Sequence, residues 1–248
     1  MSLPRLTEIA EDLSTNQSSH AVNKFGFNND VDTAAPEDIW SAGGLYPYAT
    51  FATAQELEVV STSTADDLTT GTGAWSITIS GLNASLEAQT ETVDLNGTGV
   101  VVIPGTWLAI NRAFILEPSG TGGVNAGNIN IQVASAGATV AQIPLGRGQT
   151  QQCVVRVPLG KTLRITNIIA YTDASASKTG SMQLIRVGTD CKTLRVLSSG
   201  TITEASRWER KYDKGGPTVE AGAWVAVRAL AVAQNDTAIT ADFDGVLE

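Results

Sequence analysis

The clearest pattern in the chain spans residues 74–82, which read Ala-Trp-Ser-Ile-Thr-Ile-Ser-Gly-Leu. Trp75, Ile77 and Ile79 alternate there with small polar residues at every second position. A period of two places large apolar side chains on one face of an extended chain, because successive side chains of a strand point to opposite faces. This stretch therefore predicts a β-strand with one face buried.

Runs of the same kind continue toward both ends of the chain at intervals of about 8–12 residues, with turn-forming residues between them. Strands are predicted at residues 57–61, 91–95, 100–103, 112–117, 127–133, 152–157, 162–171, 181–187, 192–197, 207–211, 223–231 and 238–246. Asn96-Gly97 is a strong hairpin signal between residues 91–95 and 100–103. Because no βαβ rhythm and no fixed-period repeat is present, the pattern predicts an all-β protein, a β-sandwich or jelly roll of one or two modules.

Charge and composition indicate where such modules meet. The net charge of −9 is unevenly distributed. Residues 1–147 hold four basic and fifteen acidic side chains, whereas residues 148–248 hold twelve basic and ten acidic ones. The apolar pattern also thins out between residues 134 and 150. We therefore predict an extended N-terminal arm at residues 1–54, a β-rich module at residues 55–147 and a C-terminal β-sandwich module at residues 148–248.

The predicted arm is irregular and rich in aromatic residues, after a short predicted helix at residues 6–13. Residues 25–51 follow neither a helical nor a strand period, yet they carry Phe25, Phe27, Trp40, Tyr46, Tyr48 and Phe51. Aromatic side chains gain much free energy from burial, so the arm must lay them on something. Either the arm packs on its own domain, or it reaches a neighbouring subunit. On the second alternative, these six aromatics are the candidate interface residues.

The residues that usually carry catalysis are sparse. His20 is the sole histidine and precedes the predicted core, which argues against a Ser-His-Asp or Cys-His site and excludes a two-histidine metal site. Turn or surface chemistry explains the carboxylate pairs Asp66-Asp67 and Asp242 with Asp244. Residues 28–32 resemble a calcium loop but lack its glycine and its closing glutamate. We expect no catalytic, cofactor or metal site and no enzymatic activity.

The low charge content bears on the partners. Charged residues make up 17% of the chain, against a usual share of about 25%. Such a surface suits a protein that other subunits cover, and without clustered Lys and Arg the acidic chain is a poor nucleic-acid binder. No apolar run reaches the length of a membrane span and residues 1–20 show no signal peptide, so we expect synthesis in a cytoplasm and no membrane contact. Two alternatives are open for Cys153 and Cys191, a disulfide or two buried thiols.

Three stretches carry a family resemblance. Residues 25–47 contain Pro-Glu-Asp-Ile-Trp followed by Gly-Gly, and residues 91–98 read Glu-Thr-Val-Asp-Leu-Asn-Gly-Thr. Together with the Asp-Phe-Asp-Gly run at residues 242–245, they resemble virion structural proteins of tailed bacteriophages.

The resemblance implies a component of the virus particle with a β-sandwich or jelly-roll body. Our first expectation is a capsid decoration (cement) protein that bridges capsid subunits through its arm and binds the major capsid protein or other virion subunits. It would form a homo-oligomer, with a trimer as the favoured state, and it would reside in the virion after synthesis in the host cytoplasm. A tail, adaptor or fibre-base component is the alternative within the same class, and neither form implies a cofactor.

Another class of function is a carbohydrate-binding module that contacts the host surface. A line of exposed Trp75, Trp107 or Trp224 on one sheet face would favour it. An enzyme that depolymerises glycans would need two acids facing each other across a groove, and the solenoid repeats that we expect of its strand pattern are absent.

Overall fold

The computed structural model of the chain describes residues 20–118, 123–172, 178–204, 206–213 and 215–248. These residues form one short 3-10 helix, Tyr48–Ala52, and sixteen β-strands. The strands are β1 (His20–Val31), β2 (Glu37–Asp38), β3 (Gln55–Ser61), β4 (Ala74–Asn83), β5 (Ala88–Asp94), β6 (Val101–Pro118), β7 (Ile129–Val133), β8 (Thr139–Ile143), β9 (Val154–Arg156), β10 (Leu163–Thr172), β11 (Thr179–Val187), β12 (Leu194–Thr203), β13 (Trp208–Lys211), β14 (Thr218–Val219), β15 (Trp224–Val232) and β16 (Thr237–Leu247). The all-β prediction is confirmed, and the helix predicted at residues 6–13 lies outside the described residues. No described helix has the length and apolarity that a membrane crossing needs.

The strands form three antiparallel sheets. Sheet I has the order β5-β4-β6-β3-β7-β8, sheet II has the order β12-β11-β15-β2, and sheet III has the order β1-β16-β10-β13. Two short strands pair alongside, β9 with β15 and β14 with β10. All strands of sheet I fall within residues 55–147, whereas sheets II and III combine strands from residues 148–248 with β1 and β2.

Sheet II is the middle layer of three. Along β15, Trp224 and Ala226 belong to the core cluster that sheet I covers, whereas Val225 and Val227 belong to the cluster that sheet III covers. Because both faces of its first half are buried, from Trp224 to Val227, the sequence there is an unbroken apolar run rather than an alternating one. The Ala content of the run is also compatible with a helix, but burial on two sides selects the strand.

The hairpin predicted at Asn96-Gly97 is wrong. β5 pairs with β4, and the first residues of β6 pair with β3, so β4 lies between the two strands that the turn joins. Gly97 still adopts the left-handed backbone of a tight turn, with φ of 56°. Turn chemistry sets this local conformation, but it does not decide which strands pair.

The structure corrects the extended arm for residues 20–54. β1 pairs with β16 from His20↔Leu247 to Val31↔Thr237, and β2 pairs with β15. The segment therefore belongs to the folded body, because its backbone groups take their hydrogen-bond partners from sheets II and III. Residues 1–19 lie outside the described residues.

Candidate interaction surface

Four of the six predicted interface aromatics are buried in the core of this chain. Trp40, Tyr46, Tyr48 and Phe51 are at most 7% exposed and belong to the cluster between sheets I and II. Their rings meet one another and Trp224 at centroid distances between 5.0 and 5.7 Å. Their assignment to a neighbouring subunit is corrected: they pack on their own domain, because Trp224 gives them a ring surface within the chain.

A buried ion pair holds this aromatic segment in place. Arg228 of β15 makes two hydrogen bonds to the carboxylate of Asp38, at 2.7 and 3.0 Å. Asp38 also accepts the backbone N–H of Tyr46 at 2.8 Å. Burial raises the pKa of Asp38, and the bonds from Arg228 oppose that rise. The segment is therefore fixed by charge-assisted hydrogen bonds as well as by apolar packing.

A second buried arginine stacks on the same cluster. The guanidinium carbon of Arg156 lies 5.2 Å from the centre of the Trp224 ring. Its N–H groups donate to three backbone carbonyls, at 2.9 Å to Gly222, 3.0 Å to Phe51 and 2.8 Å to Leu108. Arg156 therefore ties the N-terminal segment and sheet I to sheet II.

Phe25 and Phe27 are the two predicted aromatics on the outside of the body. They are half-buried on the outer face of β1, while Lys24 and Gly26 are buried on its inner face. A Cβ at position 26 would stand 2.3 Å from the backbone nitrogen of Cys153, so only glycine permits this approach. β1 thus presents its large rings outward and its smallest residue to the core.

A connecting segment at residues 148–151 runs along the free edge of β1. The backbone N–H of Phe27 donates to the carbonyl of Gln151 at 3.4 Å, and that of Thr150 donates to the carbonyl of Ala113 on β6 at 2.8 Å. This segment therefore links β1 of sheet III to β6 of sheet I. It also brings side chains from two sheets beside the rings of β1.

An arginine stacks on each of these rings from that edge. The guanidinium carbon of Arg112 lies 5.6 Å from the centre of the Phe25 ring, and that of Arg147 lies 5.7 Å from the centre of the Phe27 ring. Arg112 also donates to the carbonyl of Asn23 at 3.1 Å. Neither arginine has a carboxylate partner in the part of the chain that the structure describes. The two cations are held by the rings rather than neutralised.

Carboxylates lie on the other side of the same rings. Asp242 of β16 is directly opposite Phe25, and Asp244 is opposite Asn23. Asp244 accepts hydrogen bonds from Asn23 at 2.8 Å and from Asn167 at 3.2 Å. Asp242 accepts none from the described residues. Burial is the main cause that raises the pKa of Asp242 to about 6, and neighbouring carboxylates add to it.

The face continues across the remaining strands of sheet III. Ile169 and Glu209 complete the row that begins at Phe25 and Asp242, and Tyr171 is 46% exposed. Hydrogen bonds from Lys211 and Arg207 lower the pKa of Glu209. We define the ridge surface by its three bands: two arginines, two phenylalanines and two aspartates, namely Arg112, Arg147, Phe25, Phe27, Asp242 and Asp244.

A cleft of about 220 Å³ opens beside Phe27 and Arg147 of the ridge surface. Its walls combine apolar, amide and cationic side chains, namely Phe27, Asn29, Ser41, Asn128, Gln142, Pro144, Leu145 and Arg147. Leu145 is 60% exposed, and the amide of Gln142 is held by a 2.8 Å hydrogen bond to Asn130. Sites for small molecules usually measure about 300–1,000 Å³. The cleft therefore fits a single inserted side chain or one sugar unit better than a larger ligand.

The tryptophans named for carbohydrate binding do not form an exposed line. Trp107 and Trp224 are 0% exposed. Trp75 is half-buried, and its indole N–H donates to the carbonyl of Gly71 at 2.9 Å. Stacking on sugar rings needs free aromatic faces, which these three side chains do not present together.

The carboxylates of residues 66 and 67 have the structural role that the turn composition predicts. Asp66 is buried and accepts hydrogen bonds from Ser61 at 2.6 Å and from the backbone N–H groups of Ala74, Ala126 and Gly127. Hydrogen bonds from the hydroxyl and backbone groups of two threonines lower the pKa of Asp67 to about 2. Both side chains serve to hold loops together.

The carboxylates of Asp30, Asp32 and Asp236 form a cluster that could hold a metal ion. Their oxygens lie within 4.8 Å of one another. A hydrogen bond with Asp236 is the main cause that raises the pKa of Asp30. Oxygen ligands of this kind suit Ca²⁺ or Mg²⁺. The sequence shows Asp30 and Asp32 together, but Asp236 joins them only through the pairing of β1 with β16.

The remaining candidate residues are placed as follows. His20 is exposed at the start of β1. Cys153 and Cys191 are free, buried thiols that lie in different core clusters. Of the ridge surface, the phenylalanines and the aspartates are recognisable as candidates in the sequence, but Arg112 and Arg147 are not. No short-range signal could have found these arginines, because they reach β1 from distant parts of the chain.

Comparison with known proteins gives structural likenesses of low score. No family model and no curated protein matches the chain. Among solved structures, it is similar to the native virion of Kashmir bee virus, with 15% identity over 36% of this chain and 48% of that chain, and a TM-score of 0.19. It is also similar to the tandem CBM22-1–CBM22-2 domains of Xyn10C from Paenibacillus barcinonensis, with 12% identity over 93% of each chain and a TM-score of 0.25.

A third likeness is to the Gx strain of infectious bursal disease virus, with 8% identity over 92% of this chain and 72% of that chain, and a TM-score of 0.26. The chain spans about half the length of the bee virus chain that it matches. TM-scores this low support no statement about function.

Proposed function

We propose that this chain is a non-enzymatic structural protein of a tailed-phage virion and that it binds other protein subunits through the ridge surface. A capsid decoration protein that contacts the major capsid protein is the first form of this proposal, and a tail, adaptor or fibre-base component is the second. The sequence resemblance supports the virion, and the ridge surface supports the binding role. Residues 20–54 contribute to this role as part of the body.

The observation that carries the proposal is the ordered arrangement of arginines and rings on an outer sheet face. Arginine and aromatic side chains supply much of the binding energy at protein interfaces. Phe25 and Phe27 are already held between arginines and β16, so they lose little conformational entropy when a partner covers them. Asp242 adds a half-buried carboxylate that accepts no hydrogen bond from the described residues.

The same geometry argues against glycan cleavage at the raised-pKa carboxylate. Asp242 and Asp244 are two positions apart on one strand, so they lie side by side on an open sheet face. Glycosidases place their two carboxyl groups on opposite sides of the scissile bond, across a groove. Asp244 is also tied to two asparagines, which suits a fixed surface charge better than a nucleophile.

A second candidate function, carbohydrate binding, is favoured by the cleft alone. Asn29, Asn128 and Gln142 provide planar amides beside Phe27, and such groups bind sugar hydroxyls. Arg147 already covers a face of that ring, which leaves less of it for a sugar. A glycan array tests this candidate, since binding that the change Gln142→Ala removes would support it over protein docking.

The test of the virion proposal is quantitative mass spectrometry of purified phage particles. We expect the chain in the particles, at a copy number matching the capsid lattice for a decoration protein or a tail ring for a tail component. The double change Phe25→Ser, Phe27→Ser should lower incorporation by about tenfold or more, because it removes both rings from the interface.

Leu194→Ser is the matched control, since Leu194 is 42% exposed on a strand of sheet II. It should leave incorporation unchanged. Circular dichroism of both proteins must show the wild-type fold. Absence of the chain from particles, or wild-type incorporation of the folded double variant, would refute the proposal.

A further inference from the structure

The three bands of the ridge surface lie side by side in a fixed order. Arg112 stands on one flank of Phe25, and Asp242 stands on the other flank in the same cross-strand row. The arginines come from the edge next to β6, and the aspartates come from β16. Positive charge, aromatic rings and negative charge therefore follow one another across the surface.

Such an order is complementary to itself. A two-fold axis that runs along β1 in the plane of the contact exchanges the two flanks and leaves the central band in place. The arginine flank of one molecule then faces the aspartate flank of the other, and the phenylalanines meet in the middle. Contacts of this kind are isologous, because each residue pair occurs twice.

We propose that the occupant of the ridge surface is a second copy of this chain, bound about such a two-fold axis. Arg112 of each copy faces Asp242 of the other, and Phe25 and Phe27 pack at the centre. The inference rests on the proposed function, since it makes a second copy the subunit that covers the ridge surface, and a contact with the major capsid protein would then lie elsewhere on the pair. It replaces the trimer expected from the resemblance with a pair.

Three features of the single chain favour this occupant. The guanidinium groups of Arg112 and Arg147 have no carboxylate partner among the described residues, and the carboxylate of Asp242 has no donor there. In the pair, Arg112 gains a carboxylate partner and Asp242 gains a hydrogen-bond donor. The chain is acidic overall, so concentrated positive charge favours association between copies, and the arginine band carries such charge.

The area that a stable pair needs sets the extent of the contact. Specific interfaces bury roughly 800 Å² on each partner. A contact of this size extends beyond the six ridge residues, and Tyr171 on β10 and the cleft at Arg147 lie on either side of the Phe27 row. The exposed Leu145 at the cleft rim lies inside that area.

The experiment is analytical ultracentrifugation of the full chain and its charge-reversal variants, without particles. The wild type should sediment as a dimer that dissociates with added salt, because screening weakens the charged contacts. Asp242→Arg puts arginines on both flanks, and Arg112→Asp puts carboxylates on both. Each should weaken dimerisation by about 100-fold, since like charges then face each other.

Mixing separates a charge contact from a general loss of fold. Equal amounts of the two variants should form a mixed dimer, and the double variant Arg112→Asp, Asp242→Arg should dimerise with itself. A monomeric wild type, or single variants that dimerise as well as the wild type, would overturn the inference. So would mixed variants that stay monomeric while each keeps the wild-type melting temperature.

The outcome is independent of the particle experiment. A chain that enters particles but stays monomeric in solution contradicts the pair and leaves the virion role standing. A chain that dimerises but is absent from particles contradicts the virion role and leaves the pair standing.

Discussion

Two groups of aromatic side chains in the same N-terminal segment differ in what covers them. Trp40, Tyr46, Tyr48 and Phe51 close around Trp224 inside the body, whereas Phe25 and Phe27 lie on its outer face. An arginine stacks beside each group, Arg156 at 5.2 Å from the Trp224 ring in the core and Arg112 at 5.6 Å from the Phe25 ring on the ridge surface. The difference lies in the hydrogen bonds of these arginines. Arg156 donates to three backbone carbonyls, whereas Arg112 donates to one, that of Asn23, and neither outer arginine has a carboxylate partner within the described ranges.

This difference separates folding from binding. A guanidinium that is satisfied within the chain stabilises the chain, because its hydrogen bonds are made on folding. A guanidinium that is stacked but not neutralised is ordered in advance of a partner, so its electrostatic gain is realised on association. The core cluster should thus govern stability, and the ridge surface should govern assembly.

Trp224→Ala should give the largest effect that distinguishes the two groups. Trp224 is 0% exposed, so the change leaves a cavity and removes the ring on which Arg156 stacks. We expect the free energy of unfolding to fall by about 4 kcal/mol. The matched change Phe25→Ala on the half-buried ridge should cost about 1 kcal/mol.

Urea denaturation followed by circular dichroism measures both values. Losses of equal size would contradict the division between core and surface. A wild-type dimer must be compared at a concentration at which it dissociates, because association adds to the apparent stability.

The sequence predicts the strands whose apolar residues alternate or form a continuous run. It fails for a strand whose large apolar side chains face outward. β4, β10, β11 and β16 follow the period of two or a buried run, and the structure has them. β1 is missed because its rings face outward while Lys24 and Gly26 face the core. No local pattern reveals that inversion, since the need for glycine comes from the distant Cys153.

Local sequence patterns also do not show which strands pair or which residues form the ridge surface. The sequence shows that the segment of residues 25–51 must bury its aromatics, but the choice between its own domain and a neighbour depends on Trp224, far along the chain. The strands predicted at residues 100–103 and 112–117 are parts of one long strand, β6, and β8 is not among the strands that the sequence predicts. Arg112 and Asp242 flank Phe25 only after β1 pairs with β16.

Lys24 extends the comparison to the inner face of β1. Its ammonium group is buried and donates to the carbonyl of Asn111. Burial, with a smaller contribution from Arg112, lowers its pKa from 10.5 to about 7. Between these values the unfolded chain binds the proton and the folded chain does not, so stability should rise with pH by up to about 1.4 kcal/mol per pH unit.

Lys24→Met should remove that slope, since methionine fills similar space without a titrating group. Urea denaturation between pH 7 and 10.5, the range set by the two pKa values, measures it. A variant with the wild-type slope would show that another group causes the pH dependence. The outer change Phe25→Ala should keep the slope, because it leaves Lys24 buried.

Asp242→Asn should give the smallest effect on stability and the clearest link between stability and assembly. Burial first, and then Asp244 and Glu209, raise the pKa of Asp242 from 3.8 to about 6. Between these values the folded chain binds the proton more tightly than the unfolded chain, so stability falls as pH rises and the deficit is complete above pH 6. The asparagine variant lacks this deficit and should be more stable at neutral pH, by about 1 kcal/mol after allowance for solvent screening of a half-exposed group.

Assembly should respond in the opposite direction. At neutral pH the wild-type carboxylate is ionised and faces Arg112 of the second copy, so Asp242→Asn should weaken the dimer while it stabilises the monomer. Measured together by denaturation and ultracentrifugation, the two effects have opposite signs only if the charge at Asp242 is kept for a partner. An asparagine variant that gains in both respects would show that the carboxylate serves neither the fold nor the pair.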